Sequence, residues 1–90
     1  MNKYLVEFLG TMFLVYVIFA TGNWFAIGAA LGIAVFLGGP ISSGAFNPAV
    51  AISLYAADKL PQSDVLPYII AQILGALAAF YAYKRFVNKA

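Results

Sequence analysis

The 90-residue sequence has no cysteine and no histidine, and it carries only five basic and three acidic side chains. Disulfides and thiolate chemistry are therefore excluded, as are the usual zinc sites and catalytic triads. A charged share of 9% is too small to cover a water-facing surface, since soluble domains carry about 25%. The net charge of +2 is too small to indicate nucleic-acid binding. These deficits predict a membrane protein that is not an enzyme and uses no cofactor or metal.

Apolar side chains make up 64% of the chain and aromatic ones 17%, which also excludes a disordered protein. Three apolar runs approach the ~20 residues that cross a ~30 Å hydrocarbon core, and they predict membrane spans over residues 4–21, 24–41 and 65–83. The first run also fits the opening of a signal peptide. Its internal Glu7 and a weak cleavage site favour a span instead.

The segment between the second and third spans differs in composition. Glycine, proline and serine dominate from Gly38 onward and predict irregular backbone. Asn47 suits an N-cap and Pro48 suits the first helical position, so a helix is predicted over residues 47–57. Its length of roughly 16 Å is half a bilayer core, which favours a re-entrant half-helix over an interfacial amphipathic helix. Asp58 and Asp64 are expected in the solvent loop that follows.

Three motifs, in order, resemble the aquaporin (major intrinsic protein) family. They are Val6-Glu7-Phe8-Leu9-Gly10-Thr11, Ser43-Gly44-Ala45-Phe46-Asn47-Pro48-Ala49-Val50, and Tyr68-Ile69-Ile70-Ala71-Gln72 with Gly75-Ala76. The resemblance implies an all-α membrane protein in which residues 1–90 form one aquaporin-like inverted repeat: three transmembrane helices plus one re-entrant half-helix. Members of the family carry two such repeats in inverted orientation, and this sequence contains one.

The resemblance also implies a passive channel for water or small uncharged solutes such as glycerol-like polyols, ammonia and gases. The simplest completion of the pore is an antiparallel homodimer, and the family's tetramer of pores would then need eight chains. Lys3 and Lys59 on one side nearly balance Lys84, Arg85 and Lys89 on the other, which predicts insertion in both orientations. The expected location is integral and multi-pass, most simply in the cell membrane, with the lipid bilayer and a second copy as partners.

By resemblance, the pore motif is Asn47, Pro48 and Ala49, with the carbonyls of residues 42–46 as a row of acceptors. Glu7 and Gln72 would support that loop from the first and third spans. Opposed half-helix N-termini, each with a charge of roughly +0.5, would repel cations. The family's constriction positions correspond to Ile27, Val35, Gly44 and Val50. Because Val50 stands where the family has arginine, the mouth is expected to be wide and apolar.

Two other functions remain open from the residues alone. A dual-topology, proton-coupled exporter would use Glu7 as a titrating group, because an intramembrane carboxylate normally marks function. A non-conducting membrane subunit would assemble without changing permeability. The half-helix at Asn47 favours the channel, since such exporters need only simple spans.

Overall fold

The computed structural model describes residues 1–87 and contains α1 (Lys3–Thr21), α2 (Trp24–Ser42), α3 (Pro48–Ala56) and α4 (Gln62–Phe86). By length and composition, α1, α2 and α4 can each cross a membrane. The nine residues of α3 span only about 13 Å. These four helices confirm the predicted all-α membrane fold. Lys89, counted above in the charge balance, lies outside the described residues.

Asparagine side chains cap three of the four helices. Asn2, Asn23 and Asn47 precede α1, α2 and α3, and each side-chain oxygen accepts a hydrogen bond from a backbone N–H of the first turn. Helix α1 ends at Gly22, whose φ of 53° is left-handed and therefore suits glycine. The chain can thus reverse within two residues between α1 and α2, which makes these two helices antiparallel neighbours.

Helix α1 is central, with α2 and α4 packed on it. Helices α1 and α4 run parallel: Tyr4 meets Tyr68 edge-on near one end, and Phe19 meets Phe80 near the other. Gly75 permits this close approach, because a Cβ there would overlap the carbonyl oxygen of Phe8. The half-helix α3 packs on α4 alone among the helices of residues 1–87, around a cluster of Ala45, Ala51, Leu60 and Tyr68.

Helix α2 ends one residue after its predicted end at residue 41, but the irregular stretch and the start of the third span differ from the sequence prediction. Helix α2 continues through Gly38, Gly39 and Pro40 to Ser42, so irregular backbone is confined to residues 43–47. Contact with α1 explains this, since a Cβ on Gly38 would come within 2.8 Å of Val6 Cγ1. Membrane helices tolerate glycine and proline where neighbouring groups compensate. Helix α4 begins at Gln62, three residues before the predicted span, and it contains Pro67.

The prediction that Asp64 lies in a solvent loop is wrong. Asp64 occupies the first turn of α4 and is only 3% exposed. Its Oδ2 accepts from Lys3 Nζ at 2.6 Å, and its Oδ1 accepts from the Tyr4 hydroxyl at 2.7 Å. A carboxylate is favoured in a first helical turn, and the nearby ammonium compensates for its burial. Asp58, by contrast, is exposed as predicted.

Candidate functional site

The Glu7 carboxylate is fully buried and joins three parts of the chain. One oxygen, Oε2, accepts from Ser42 Oγ at 2.6 Å and from the Ala45 backbone N–H at 3.2 Å. The other, Oε1, accepts from the Phe46 N–H at 2.8 Å and from Gln72 Nε2 at 2.8 Å. Four donors offset the cost of burying a charge. Glu7 therefore ties α1 to the end of α2, to the irregular segment and to α4.

Tyr68 holds the same segment from α4. Its hydroxyl donates to the Ser42 carbonyl oxygen at 2.8 Å, and the Gly44 N–H donates to Ser42 Oγ at 3.2 Å. The Ser42 carbonyl is thus occupied within the chain, so the expected row of acceptors begins one residue later. Within residues 1–87, no donor bonds the carbonyls of Ser43, Gly44, Ala45 or Phe46.

The Phe46 ring enters a slot between α1 and α2. A Cβ on Gly10 would overlap this ring, and a Cβ on Gly38 would lie 3.1 Å from its Cζ. Phe46 is 2% exposed although its φ of 52° is left-handed, which is unfavourable for a bulky residue. This role is not evident from the loop motif. The only signal in the sequence is a glycine in each flanking helix.

Asn47 itself is exposed at the tip of α3. Its Oδ1 accepts from the Ala49 N–H at 2.8 Å, so its Nδ2 faces outward as a remaining donor. The tip lies near the middle of the span, because the preceding Phe46 touches Gly10, two residues from the central residue of α1, Met12. An amide donor and a helix N-terminus are therefore presented at membrane depth.

The four expected constriction residues lie at different levels. Gly44 packs against Val35, where an added Cβ would lie 3.5 Å from the Val35 Cα. Val35 and Val50 are 41% and 40% exposed, on α2 and on the first turn of α3. Ile27 precedes Val35 by eight residues of α2, or about 12 Å along the axis, and is half-buried. The structure therefore brings together Val35 and Gly44, with Ile27 well away from them.

A family model described as Major intrinsic protein matches residues 21–90. The chain belongs to the major intrinsic protein family. It is 44% identical to "Glycerol uptake facilitator protein-like 6" of Lactiplantibacillus plantarum, over 98% of this chain and 45% of the relative. It is 40% identical to "Aquaporin Z" of Brucella melitensis biotype 1, over 88% of this chain and 41% of the relative. It is 47% identical to "Aquaporin AqpM" of Methanothermobacter thermautotrophicus, over 69% of this chain and 27% of the relative.

This major intrinsic protein is an integral, multi-pass membrane protein, in keeping with its three apolar helices. The chain spans about half the length of the curated relatives it matches, or less. The family match begins at residue 21, so it includes α2, the residues that donate to Glu7, the tip of the half-helix and Gln72.

Proposed function

We propose that the protein forms a passive channel for water and small uncharged solutes, built from two repeats packed antiparallel. The observation that carries this proposal is the exposed Asn47 at the tip of a half-helix, held at membrane depth by the buried Glu7 carboxylate. Relatives named as aquaporins and as a glycerol uptake facilitator-like protein support the same class of activity. The family consists of channels rather than enzymes.

A second repeat is needed because one half-helix provides only one wall of a pore. Within residues 1–87, α3 packs on no helix other than α4, and no donor bonds the carbonyls of residues 43–46. A second copy in the opposite orientation would place its own Asn47 tip against the first. The pore motif Asn47, Pro48 and Ala49 would then occur twice around a two-fold axis in the membrane plane. Four such pores would form an assembly of eight chains.

The proposed conduction path uses donors and acceptors in series. The carbonyls of Ser43, Gly44, Ala45 and Phe46 accept hydrogen bonds from the solute, and Asn47 Nδ2 donates one at the centre. A neutral solute replaces its hydrogen bonds to water with these hydrogen bonds to the protein. A cation instead loses its hydration shell while facing two helix N-termini, each with a charge of roughly +0.5. The path therefore passes neutral molecules and blocks ions, protons included.

Selectivity in this proposal depends on the apolar mouth. Val35, Gly44 and Val50 supply the wall there, with Ile27 further along α2, and none of them carries a charge. A mouth without a fixed cation admits polyols, ammonia and dissolved gases together with water. In an antiparallel homodimer both mouths are alike, so permeation has no preferred direction.

The arrangement around Glu7 favours this channel over a proton-coupled exporter. A proton on either oxygen would face the two donors that this oxygen now accepts from, so two of the four hydrogen bonds would have to rearrange in each cycle of protonation. A Glu7 carboxylate that only holds residues 42–46 in place needs no such rearrangement. Flux driven by a proton gradient would instead favour the exporter.

Stopped-flow measurements on proteoliposomes test the proposed activity. Water, glycerol and urea permeability should rise above that of empty liposomes and should not respond to a pH gradient. Protein that assembles in the liposomes but leaves permeability unchanged would contradict the channel and support a non-conducting subunit.

Cross-linking tests the pairing, and the chain is suited to it because it has no native cysteine. Ala49→Cys should form a disulfide-linked dimer, since the two half-helix tips meet at the two-fold axis. Tyr81→Cys is the matched control: it is exposed on α4 and would lie on opposite membrane faces in the two copies. A dimer through Tyr81→Cys, with none through Ala49→Cys, would contradict the antiparallel arrangement.

A further inference from the structure

We propose that Phe46, Gly10 and Gly38 position the pore amide: the aromatic ring fits between the two glycines and so sets where Asn47 stands. This inference rests on the proposed channel function and adds three positioning residues to it. None of the three is expected to touch the solute. They act through the neighbouring residue, because the backbone of Phe46 leads directly into Asn47.

The fit of the ring is close on two sides. Gly10 on α1 leaves no room for a Cβ, since that atom would overlap the ring. On α2, a Cβ at Gly38 would lie 3.1 Å from Phe46 Cζ and 2.8 Å from Val6 Cγ1. Phe46 is also packed with Val6 and Ala34 in one buried cluster. Glycine at position 10 is therefore needed for the ring to enter, and glycine at position 38 lets α2 approach both Val6 and the ring closely.

The backbone of Phe46 is held in an unfavourable conformation by these contacts. Its φ of 52° persists in a bulky residue only where the surroundings impose it. Two constraints act here: the N–H donates to Glu7 Oε1 at 2.8 Å, and the ring is enclosed by the slot. The hydrogen bond holds the N–H of Phe46, and the enclosed ring fixes the direction of its side chain. The ring therefore determines the direction in which the chain enters α3.

A displaced ring has somewhere to go. Phe46 borders an apolar groove of about 510 Å³ between α1 and α2, which Leu37 and Phe13 also line. A methyl group added at Gly10 is expected to push the ring toward this groove and to carry Asn47 with it. The helices can stay in place, which makes the effect on the pore separable from loss of folding.

The test is a rescue experiment in proteoliposomes. Gly10→Ala should lower the glycerol-to-water permeability ratio about tenfold, because the larger solute needs the Asn47 amide and the carbonyls in register. This ratio does not depend on how many channels are active, so merely losing folded protein would not change it. Gly10→Ala combined with Phe46→Leu should restore the ratio, because the shorter side chain leaves space for the methyl group. Gly32→Ala is the control, since an added Cβ there meets no atom within 4 Å.

A second readout works without any flux. In a Val50→Cys background, the rate of labelling by a small thiol reagent reports the position of the first turn of α3. Gly10→Ala should change that rate and the double variant should restore it. Should Gly10→Ala not fold, Phe46→Leu alone should raise the labelling rate, because the segment has lost its enclosed ring. If the wild type does not raise liposome permeability, the proposed channel is contradicted. The labelling rates then test by themselves whether the Phe46 ring positions the start of α3. The positioning role would be overturned if folded Gly10→Ala kept the wild-type labelling rate and the wild-type glycerol-to-water permeability ratio. It would also be overturned if the folded double variant failed to restore them.

Discussion

At the scale of single residues, the chemistry of the molecule is concentrated at a few polar groups in an apolar chain. The buried carboxylate of Glu7 is stable there because Ser42, Ala45, Phe46 and Gln72 direct donors at it. Charge-assisted hydrogen bonds of this kind are about twice as strong as neutral ones. The Glu7 carboxylate therefore helps to shape the irregular segment, together with the Tyr68 hydroxyl and the enclosed Phe46 ring.

Glu7→Gln should weaken this support. Replacing Oε2 with an amide nitrogen would direct its hydrogens at the Ala45 N–H, and the charge on both oxygens is lost. We expect a loss of about 2–3 kcal/mol in the free energy of unfolding, measured by thermal unfolding in detergent, with lower permeability and no new dependence on a pH gradient. Asp58→Asn is the control, because it also removes one negative charge but at an exposed position. Equal stability of the two variants would show that the Glu7 charge is not needed.

Val50→Arg should make the channel more selective for water. Val50 lies one helical turn from Asn47 and is 40% exposed, so a longer side chain would extend into the proposed mouth. Arginine adds hydrogen-bond donors that water can use, together with a fixed charge. Its longer side chain also narrows the mouth, which hinders a polyol more than it hinders water. The glycerol-to-water permeability ratio should fall, whereas Val50→Leu, which adds bulk without charge, should lower it less.

The introduced arginine also opposes insertion of the chain into the membrane, since each arginine costs about 2.5–3.5 kcal/mol in the bilayer. A folded, assembled variant with the wild-type ratio would exclude Val50 from the pore wall.

At the scale of the helices, α1 and α4 form the frame that carries the half-helix. Gly75 brings them together at the centre, and the aromatic pairs join their ends. Asp64 adds a polar clamp at the end where both begin, through Lys3 and Tyr4. Because α3 packs on α4 and Glu7 belongs to α1, any change in the spacing of α1 and α4 also reaches the Asn47 tip.

Asp64→Asn should loosen this clamp. The Lys3 side chain is 41% exposed, so its pairing with Asp64 is partly screened and we expect a loss of only about 1 kcal/mol. Thermal unfolding of Asp64→Asn, Lys3→Met and the double variant gives the coupling between them. The losses should be less than additive, because either single change already breaks the pair. Fully additive losses would mean that Asp64 acts independently of Lys3.

At the scale of the whole molecule, the proposed pore requires the chain in two orientations. Lys3 and Lys59 lie at the end where α1 and α4 begin, and Lys84 and Arg85 lie at the other end. The bias in basic residues determines orientation, and acidic residues contribute little to it. The near balance of the two ends is therefore compatible with insertion both ways.

A C-terminal reporter should consequently appear on both sides of the membrane in comparable amounts. Lys59→Ala should shift the population toward placing α4's basic end in the cytoplasm, and Arg85→Ala should shift it the opposite way. The opposed shifts serve as controls for each other, since both variants remove one exposed positive charge. A reporter found on a single side in the wild type and in both variants would contradict the antiparallel homodimer.

Much of the fold follows from local patterns. The three spans, the short helix after Asn47 and its cap depend on run length, capping residues and turn chemistry, all of which act within a few positions of the chain. The regular helical backbone of residues 38–42 did not follow, because Gly38, Gly39 and Pro40 suggest a break by their local preferences. Contact with Val6 and Phe46 overrides those preferences and keeps the helix intact to Ser42.

The sequence by itself determined that the protein belongs in a membrane, that it has three spans and a half-helix, and that Glu7 and Asn47 are the polar groups of interest. Only the tertiary structure decided how they are connected. The bonds from Glu7 to residues 42–46, the pairing of Lys3 with Asp64 and the contact of the Phe46 ring with Gly10 each join residues more than 30 positions apart. Such contacts depend on which helix faces meet and how closely. Glycines at positions 10, 38 and 75 set that closeness by the absence of a side chain, which no local pattern reveals.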